Sequence, residues 1–143
     1  MIDFRDDQER EDILRDMQVN MNEEIRAALQ YICHRIAARG QNSLLADSFK
    51  SASLDEMAHI LYFSDLITKY GGSPVFTDWD IDKSGDLKTM LEKDLLLETE
   101  ALGRYAAQIE RMKDHPELVS LLKSVRDDEE DHRDEFAGYL EKI

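Results

Sequence analysis

Apolar residues recur at three- and four-residue steps along four segments of the chain, the spacing of an amphipathic α-helix. The clearest stripe lies in the first segment and consists of Ile13, Leu14, Met17, Met21, Ile25, Ala28, Leu29, Ile32 and Ile36. The pattern predicts a first helix over about residues 6–38. Three more helices are predicted over about 43–70, 86–113 and 116–143. The chain is therefore expected to be all-α.

Glycine and proline mark the ends of these segments. Gly40 follows the first helix and Gly71 the second, where glycine commonly ends a helix, and Pro116 opens the fourth. Helices one and two, and three and four, are joined by few residues, so each pair is expected to be an antiparallel hairpin. The link over 71–85 is long enough to cross the bundle. We expect a four-helix bundle in a single domain, 1–143, with no fifth helix.

The long crossover contains alternating acids, Asp78, Asp80 and Asp82, as a calcium-binding loop does. The sixth position of such a loop requires glycine, and Lys83 stands there. These acids are therefore expected to be solvated, with Asp86 capping the third helix.

Composition narrows the function. The chain has 32 acidic and 18 basic residues, a net charge of -14, which disfavours a phosphate-binding surface and hence nucleic acid. The single cysteine, Cys33, excludes an internal disulfide framework. No leader and no apolar run of about 18 residues is seen, so no membrane segment is expected. These features predict a soluble, cytoplasmic protein.

Two Glu-x-x-His pairs are candidates for metal ligation: Glu56 with His59 in the second helix, and Glu129 with His132 in the fourth. A spacing of three places both side chains on one helix face, where they can reach one metal ion. Each pair taken alone is weak evidence, because the spacing also occurs by chance in surface helices.

The depth of the pairs within the hairpins strengthens the case. Glu24 lies about sixteen residues before the first turn at Gly40, and Glu56 and His59 lie about as far after it. At 1.5 Å per residue, all three reach a similar height, roughly 24–28 Å from the turn. The second hairpin repeats this arrangement, with Glu98 before its turn and the second Glu-x-x-His pair after it. Each half of the chain therefore offers the same ligands at matching depth.

Burial of these acids implies a counter-charge. Glu98 follows three leucines and Glu24 lies one turn from Met21, so both are expected to face inward. A lone buried carboxylate is costly, whereas four carboxylates around two divalent cations sum to zero. Structural ion pairs are the alternative, but only Arg26 and Arg126 are well placed by sequence. Oxygen-rich ligation with two imidazoles favours iron or manganese over zinc, and a redox-active pair suits dioxygen or peroxide chemistry.

Four stretches resemble the helix motifs of bacterioferritins, members of the ferritin-like di-iron carboxylate family. They are Asn22–His34, Ser53–His59, Met90–Glu98 and Arg126–His132. The resemblance spans about residues 11–143, with the motifs in the family's order. It implies the ferritin-like fold and an iron-oxidising centre.

The resemblance also implies roles for individual residues. Glu56 and Glu129 would bridge the two irons, Glu24 and Glu98 would be terminal ligands, and each histidine would bind one iron. The ligand set implied is Glu24, Glu56, His59, Glu98, Glu129 and His132. Tyr31 matches a family tyrosine that can supply an electron; the alternative is a core tyrosine with a bonded hydroxyl.

Two further positions bear on cofactors and assembly. Met57 matches the family's haem ligand at a two-fold dimer interface, so haem b is a possible cofactor, with simple dimer packing as the alternative. Ser51 stands where some bacterioferritins place a histidine of an inner-surface iron site, so that site is not expected. The sequence stops at Ile143, before the position of the family's fifth helix, which favours a dimer or smaller shell over a 24-subunit cage.

Together these features predict a homo-oligomeric ferroxidase that oxidises Fe(II) with O2 or H2O2 for iron storage or detoxification. A rubrerythrin-like peroxidase is the first alternative. It is disfavoured because no Cys-x-x-Cys domain is present and Ala101 stands where a further third-helix glutamate would lie. A metal-free helical interaction module is the second alternative.

Overall fold

A computed structural model of the protein describes residues 3–143; Met1 and Ile2, which the predicted domain includes, lie outside the described residues. Four α-helices make up the fold: α1 (Asp7–Ala38), α2 (Ser43–Lys69), α3 (Leu87–Arg111) and α4 (Pro116–Glu141). The boundaries agree with the prediction to within about two residues, because they are fixed by local caps that can be read from the sequence.

Side chains cap three of the four helix N-termini. Asp6 accepts a hydrogen bond from the backbone amide of Glu9 at 2.8 Å and so begins α1. Asn42 begins α2 in the same way. Asp86 accepts from the amide of Thr89 at 3.0 Å, which confirms it as the N-cap of α3. The fourth helix begins at a proline, whose missing N–H is not needed in the first turn.

Two antiparallel hairpins form the bundle. Helix α1 packs along α2, and α3 packs along α4, while the α1–α3 and α2–α4 contacts are fewer. Gly71, with φ of 86°, ends α2 in the left-handed conformation that favours glycine. The chain then crosses over to α3 without a helix or strand between residues 73 and 86. The predicted all-α four-helix bundle with one long crossover is confirmed.

The apolar core is divided into two clusters. One lies around Met17, Phe63 and Tyr105, and the other around Phe49 and Phe136. On every helix the predicted metal ligands fall in sequence between the residues of these two clusters. A belt of buried polar groups therefore separates the two apolar ends of the bundle.

The crossover acids do not all behave as predicted. Asp78 and Asp80 are exposed, but Asp82 is half-buried. Its carboxylate lies 2.8 Å from Nε2 of His34 and accepts a hydrogen bond from Nζ of Lys93 at 2.6 Å. The prediction that Asp82 is a solvated loop acid is wrong, because a buried imidazole on α1 and a lysine on α3 offer it partners that the local sequence does not reveal.

The apolar stripe of α1 is broader than the face that the other helices cover. Leu29, Ile32 and Ile36 belong to the stripe but are exposed. Neither α1 nor any other helix within residues 3–143 combines the length and apolar composition that a bilayer crossing requires. These three residues therefore form an exposed apolar strip on the surface of the first hairpin.

Candidate metal centre

All six predicted metal ligands are buried at the middle of the bundle, and the structure brings them together. Helix α1 supplies Glu24, α2 supplies Glu56 and His59, α3 supplies Glu98, and α4 supplies Glu129 and His132. Each helix places its ligands on the face that points to the bundle axis. The depth argument from the two turns therefore predicted their convergence correctly.

The first group of ligands surrounds the imidazole of His59. Its Nδ1 lies 3.4 Å from Oε2 of Glu24, 3.3 Å from Oε1 of Glu56 and 3.4 Å from Oε1 of Glu129. The ligand atoms of these four residues all lie within 4.8 Å of one another. Three oxygens and one nitrogen thus face a common point.

The second group surrounds His132 in the same manner. Its Nδ1 lies 3.6 Å from Oε1 of Glu56, 3.5 Å from Oε1 of Glu98 and 3.7 Å from Oε1 of Glu129. The two groups share Glu56 and Glu129, whereas Glu24 and Glu98 each belong to one group. This division has the form of a dinuclear site with two shared and two unshared carboxylates.

Several ligand atoms have no hydrogen-bond partner. Buried atoms without a hydrogen bond, although some lie within ion-pair distance of one another, are both carboxylate oxygens of Glu56, one oxygen each of Glu98 and Glu129, and Nδ1 of His132. Unpaired buried polar atoms are costly and rare. Two divalent cations at these points would satisfy the atoms and neutralise four carboxylates, so the donor set fits a dinuclear metal site.

The cations proposed as alternative partners for these acids lie elsewhere. Arg26 is 3.7 Å from Glu23 and stacks over the ring of Trp79, with 5.1 Å from its Cζ to the ring centroid. Arg126 lies 3.7 Å from Asp127. Neither arginine serves as an ion-pair partner for the four clustered glutamates, so these arginines do not account for the acids.

Two aspartates orient the histidines. Nε2 of His59 lies 2.8 Å from Oδ2 of Asp128, and Nε2 of His132 lies 2.8 Å from Oδ2 of Asp55. A carboxylate on Nε2 favours the tautomer that leaves Nδ1 free to bind a metal ion. Sequence reasoning missed both aspartates, although each directly precedes the glutamate of a Glu-x-x-His pair.

Two tyrosines bind the unshared glutamates. The hydroxyl of Tyr31 donates to Glu98, which fits both a tyrosine beside the centre and a core tyrosine with a bonded hydroxyl, so its part in electron transfer stays a prediction. The hydroxyl of Tyr105 donates to Glu24 in the other half of the site. Sequence reasoning missed Tyr105, but a signal was present: Tyr105 follows Glu98 by seven residues, as Tyr31 follows Glu24.

Burial and mutual repulsion perturb the acids. Desolvation, together with the charges of Glu24 and Glu129, raises the pKa of Glu56 well above its ordinary value. Desolvation and Glu129 likewise raise the pKa of Glu98. For Glu129, burial favours the neutral form, but Glu56, His59 and Glu98 outweigh it and lower the pKa to about 2. Burial and mutual repulsion therefore oppose full ionisation of the four carboxyl groups when no cation is bound.

The histidines hold protons in the metal-free site. Burial disfavours the charged imidazole of His59, but Glu129 and Glu24 outweigh that effect and raise its pKa to about 11. Burial acts in the same way on His132, and Glu98 and Glu129 raise its pKa to about 10. Cations that bind here must displace these protons.

The site lies close to the surface between α1 and α3. A cavity of about 10 Å³, enough for one water molecule, reaches the glutamates there. Ala27 and Ala101 keep the gap open, and Glu23 and Arg104 lie beside it. Small residues at these two positions leave room that larger side chains would fill.

Met57, the residue considered as a haem ligand, does not join the cluster. Its neighbour Glu56 is fully buried, whereas Met57 is 46% exposed on the outer side of α2. The prediction that it points away from the bundle core is confirmed. Haem binding by Met57 stays a prediction.

Comparison with known protein families gave a match over almost the whole chain. Residues 16–143 match the family profile of the ferritin-like domain. A comparison with curated protein sequences gave no match.

Solved structures similar to the chain include bacterioferritins. BfrA, the bacterioferritin of Mycobacterium tuberculosis, is 29% identical, with a TM-score of 0.80 over 91% of this chain and 84% of that one. A mycobacterial bacterioferritin is 26% identical, with a TM-score of 0.81 over 91% and 83% of the two chains.

A third structure shows the fold alone. It is the dodecameric thioferritin of Bacteroides fragilis, described as a bacterioferritin-related protein. It is 19% identical, with a TM-score of 0.87 over 94% of this chain and 87% of that one.

Proposed function

We propose, since this chain belongs to the ferritin-like domain family, that it binds ferrous iron at its buried carboxylate cluster and oxidises it for storage or detoxification. The observation that carries the proposal is the convergence of six buried ligands in two groups that share Glu56 and Glu129. The similarity to bacterioferritins supports iron as the metal. Ferrous iron is here the substrate.

Each residue of the cluster has a distinct part in this proposal. Glu24 and His59 would hold one iron, Glu98 and His132 the other, and the shared carboxylates both. Four carboxylates balance two divalent ions, so the filled site, with both imidazoles neutral, carries no net charge. The iron pair, when bound, supplies two electrons for the reduction of dioxygen or peroxide.

The protein residues around the ligands govern protons and orientation. Asp55 and Asp128 hold the imidazoles with Nδ1 toward the iron, so the ligands need little reorganisation on binding. Tyr31 and Tyr105 donate hydrogen bonds to the unshared glutamates. The displaced protons leave through the exposed side of the two aspartates, which are about half exposed.

We also propose that the chain forms a homo-oligomer through its first hairpin. Exposed large apolar residues concentrate there: Val19, Leu29, Ile32 and Ile36 in α1, and Leu44, Leu54, Met57, Leu61 and Tyr62 in α2. In the second hairpin, the described helices expose only Leu96 in this way. An apolar face confined to one hairpin is typical of a subunit interface.

Two further ligands are proposed separately from ferrous iron: haem at the subunit interface, and manganese at the carboxylate cluster. Haem b could bind at Met57 if two copies bring their α2 helices together. Manganese could replace iron, because the oxygen-rich donor set suits both metals.

One experiment tests the main proposal. Fe(II) is added to the metal-free protein without oxygen, and the solution is then mixed rapidly with O2 or H2O2 while ferric absorbance is recorded. Retained iron, the mass of the assembly and the visible spectrum are measured on the product. We expect rapid oxidation and retention of many irons in each assembly.

The other outcomes are distinct. About two irons in each chain, fast peroxide turnover and no retained mineral would instead support the rubrerythrin-like peroxidase. An absence of bound iron would contradict the proposal and leave the interaction module. A haem absorbance band after addition of haem to the protein would establish haem as a cofactor.

A further inference from the structure

The two halves of the metal centre carry matching tyrosines. Glu24 and Glu98 are 74 residues apart, and so are Tyr31 and Tyr105. Each hydroxyl donates across the bundle to the glutamate of the other half, from α1 to α3 and from α3 to α1. The centre therefore has a phenol beside each of its two unshared carboxylates.

Both phenols are sealed from solvent. Tyr31 and Tyr105 are completely buried. Tyr31 packs edge-on against Phe136 with ring centroids 5.3 Å apart, and Tyr105 stacks on Phe63 at 6.1 Å. A ring in such surroundings, if it lost an electron, would be shielded from bulk solvent and from reductants too large to enter the bundle.

We propose that Tyr105 is a second electron donor at this centre, acting with Tyr31 so that one encounter with dioxygen yields water. The inference rests on the proposed oxidation of ferrous iron. Two Fe(II) ions supply two electrons, which suffice only for hydrogen peroxide. One electron from each tyrosine brings the total to the four that water requires.

The step balances in atoms and electrons. Two Fe(II), one O2, two tyrosines and two solvent protons give two Fe(III), two tyrosyl radicals and two water molecules. The O–O bond breaks, and each tyrosine O–H bond breaks as its electron leaves. The phenolic protons pass to Glu98 and Glu24, which already accept their hydrogen bonds, and from there to the reduced oxygen. Two further Fe(II) ions, which give one electron each and become Fe(III), and two solvent protons restore the tyrosines.

The surroundings set the order in which the tyrosines react. The guanidinium of Arg104 lies over the ring of Tyr105, 4.9 Å from Cζ to the centroid. A cation stabilises the electron-rich reduced ring, so it makes loss of an electron harder. Tyr31, which has no such cation over its ring among the described residues, reacts first, and Tyr105 supplies the last electron.

A single-turnover experiment tests this role. The protein is loaded anaerobically with two Fe(II) for each chain and mixed with excess O2. Samples frozen at successive times are examined by electron paramagnetic resonance, and released peroxide is assayed. Wild type is expected to show one radical for each of the two rings and no peroxide.

Matched variants separate the contributions. Tyr105→Phe keeps the ring and should lose half of the radical signal, the later half, while peroxide appears. The double variant Tyr31→Phe/Tyr105→Phe should lose the signal and release one peroxide for each O2 consumed. Tyr70→Phe, at the far end of α2, is the control and should behave as wild type. Anaerobic Fe(II) binding and circular dichroism confirm that each variant is folded and loaded.

The outcomes distinguish this inference from the proposed function. If the wild-type protein oxidises iron rapidly but forms only one radical in each chain, Tyr105 is not a second electron donor. Unchanged radical yield in Tyr105→Phe would overturn the role of Tyr105 as well. Both results would leave the ferroxidase proposal intact. Wild type that fails to oxidise iron would overturn both.

Discussion

Asp94 of α3 and Asn20 of α1 occupy equivalent positions, each four residues before an unshared glutamate of the candidate metal centre, but only Asp94 is ionisable. Asp94 contacts Nδ1 of His34 at 2.5 Å and accepts from Gln30 at 2.7 Å. Asn20 exchanges hydrogen bonds with Gln108 at 2.7 and 2.8 Å. The same buried position is thus filled by an ionisable pair in one half and by two neutral amides in the other, where Nε of Arg104 also donates to Asn20 at 3.1 Å.

This difference predicts the effect of His34→Gln. Burial opposes the charge on His34, but Asp94 and Asp82 outweigh it and raise its pKa. Removing the imidazole leaves the carboxylate of Asp94 buried without its main partner. Loss of one partner of a buried pair costs about 3–5 kcal/mol. We expect a fall of that size in the free energy of unfolding, measured by urea denaturation.

The opposite half suggests a rescue. In the double variant His34→Gln/Asp94→Asn, two amides replace the ionisable pair, as Gln108 and Asn20 do. We expect the double variant to be more stable than either single variant. If the losses of stability in the two single variants simply add in the double variant, a pair of neutral amides cannot replace the ionisable pair in this half of the bundle, and the prediction is wrong.

A second prediction concerns the aspartates that hold the histidines. Asp128→Asn weakens the acceptor at Nε2 of His59 and frees the imidazole to rotate or change tautomer. We expect metal affinity, measured by Co(II) titration, to fall about 10–100-fold. Asp131→Asn removes the same charge from an exposed position on the same helix and should leave affinity nearly unchanged. Equal losses in both variants would indicate a general charge effect instead.

The sequence predicted the bundle and, within each hairpin, the common level of the candidate ligands, because both depend on distance along a helix. The turn near Gly40 fixes the register of α1 against α2, and a constant rise then sets Glu24 level with Glu56 and His59. The predicted roles of these ligands stay predictions. The crossover has no regular rise that would set its residues level with particular helix residues, which is why the partners of Asp82 could not be predicted.

Contacts between the hairpins were also out of reach. Tyr31 bonds to Glu98 and Tyr105 to Glu24, and both bonds cross from one hairpin to the other. Their existence depends on the relative height and rotation of α1 and α3, which the long link does not determine. The repeat of Glu and Tyr seven residues apart was the only signal for Tyr105, and Arg104 beside it gave none.

A third prediction tests the shared carboxylate. Glu56→Ala should abolish rapid ferrous oxidation while the chain still folds, because Glu56 belongs to both ligand groups. Its pKa is raised by burial, so its loss removes an unfavourable buried acid from the metal-free protein. Stopped-flow absorbance gives the rate, with the exposed Glu92→Ala on α3 as the control. Unchanged kinetics in Glu56→Ala would remove this residue from the centre.

A fourth prediction tests the proposed interface. Leu61 of α2 and Leu96 of α3 are exposed to similar extents, 59% and 57%, but lie on different hairpins. Leu61→Glu should reduce the mass of the assembly, measured by sedimentation, because it places a charge in an apolar contact. Leu96→Glu should not. Equal masses for Leu61→Glu and wild type would show that subunits meet elsewhere.

A fifth prediction follows from the protons on the metal-free site. The pKa values of His59 and His132, about 11 and about 10, mean that both imidazoles are protonated near neutral pH. A binding metal ion must displace these protons, so affinity should rise as the pH rises. Addition of Zn(II) or Co(II) to lightly buffered protein should therefore release protons, measured with an indicator dye. Binding with no change in proton content would contradict the assignment.

The same protons set the stability of the metal-free protein. In the unfolded chain both histidines have a pKa of about 6.5, well below their pKa values in the folded protein. Between those limits the folded state holds more protons, so its stability is full at lower pH and is lost as the pH rises toward about 10. We expect thermal denaturation of chelator-treated protein to occur at a lower temperature at about pH 9 than at about pH 6. Bound Co(II) replaces the protons as counter-charge, so loading should remove or reverse that difference; an equal loss with metal present would show that other groups cause it.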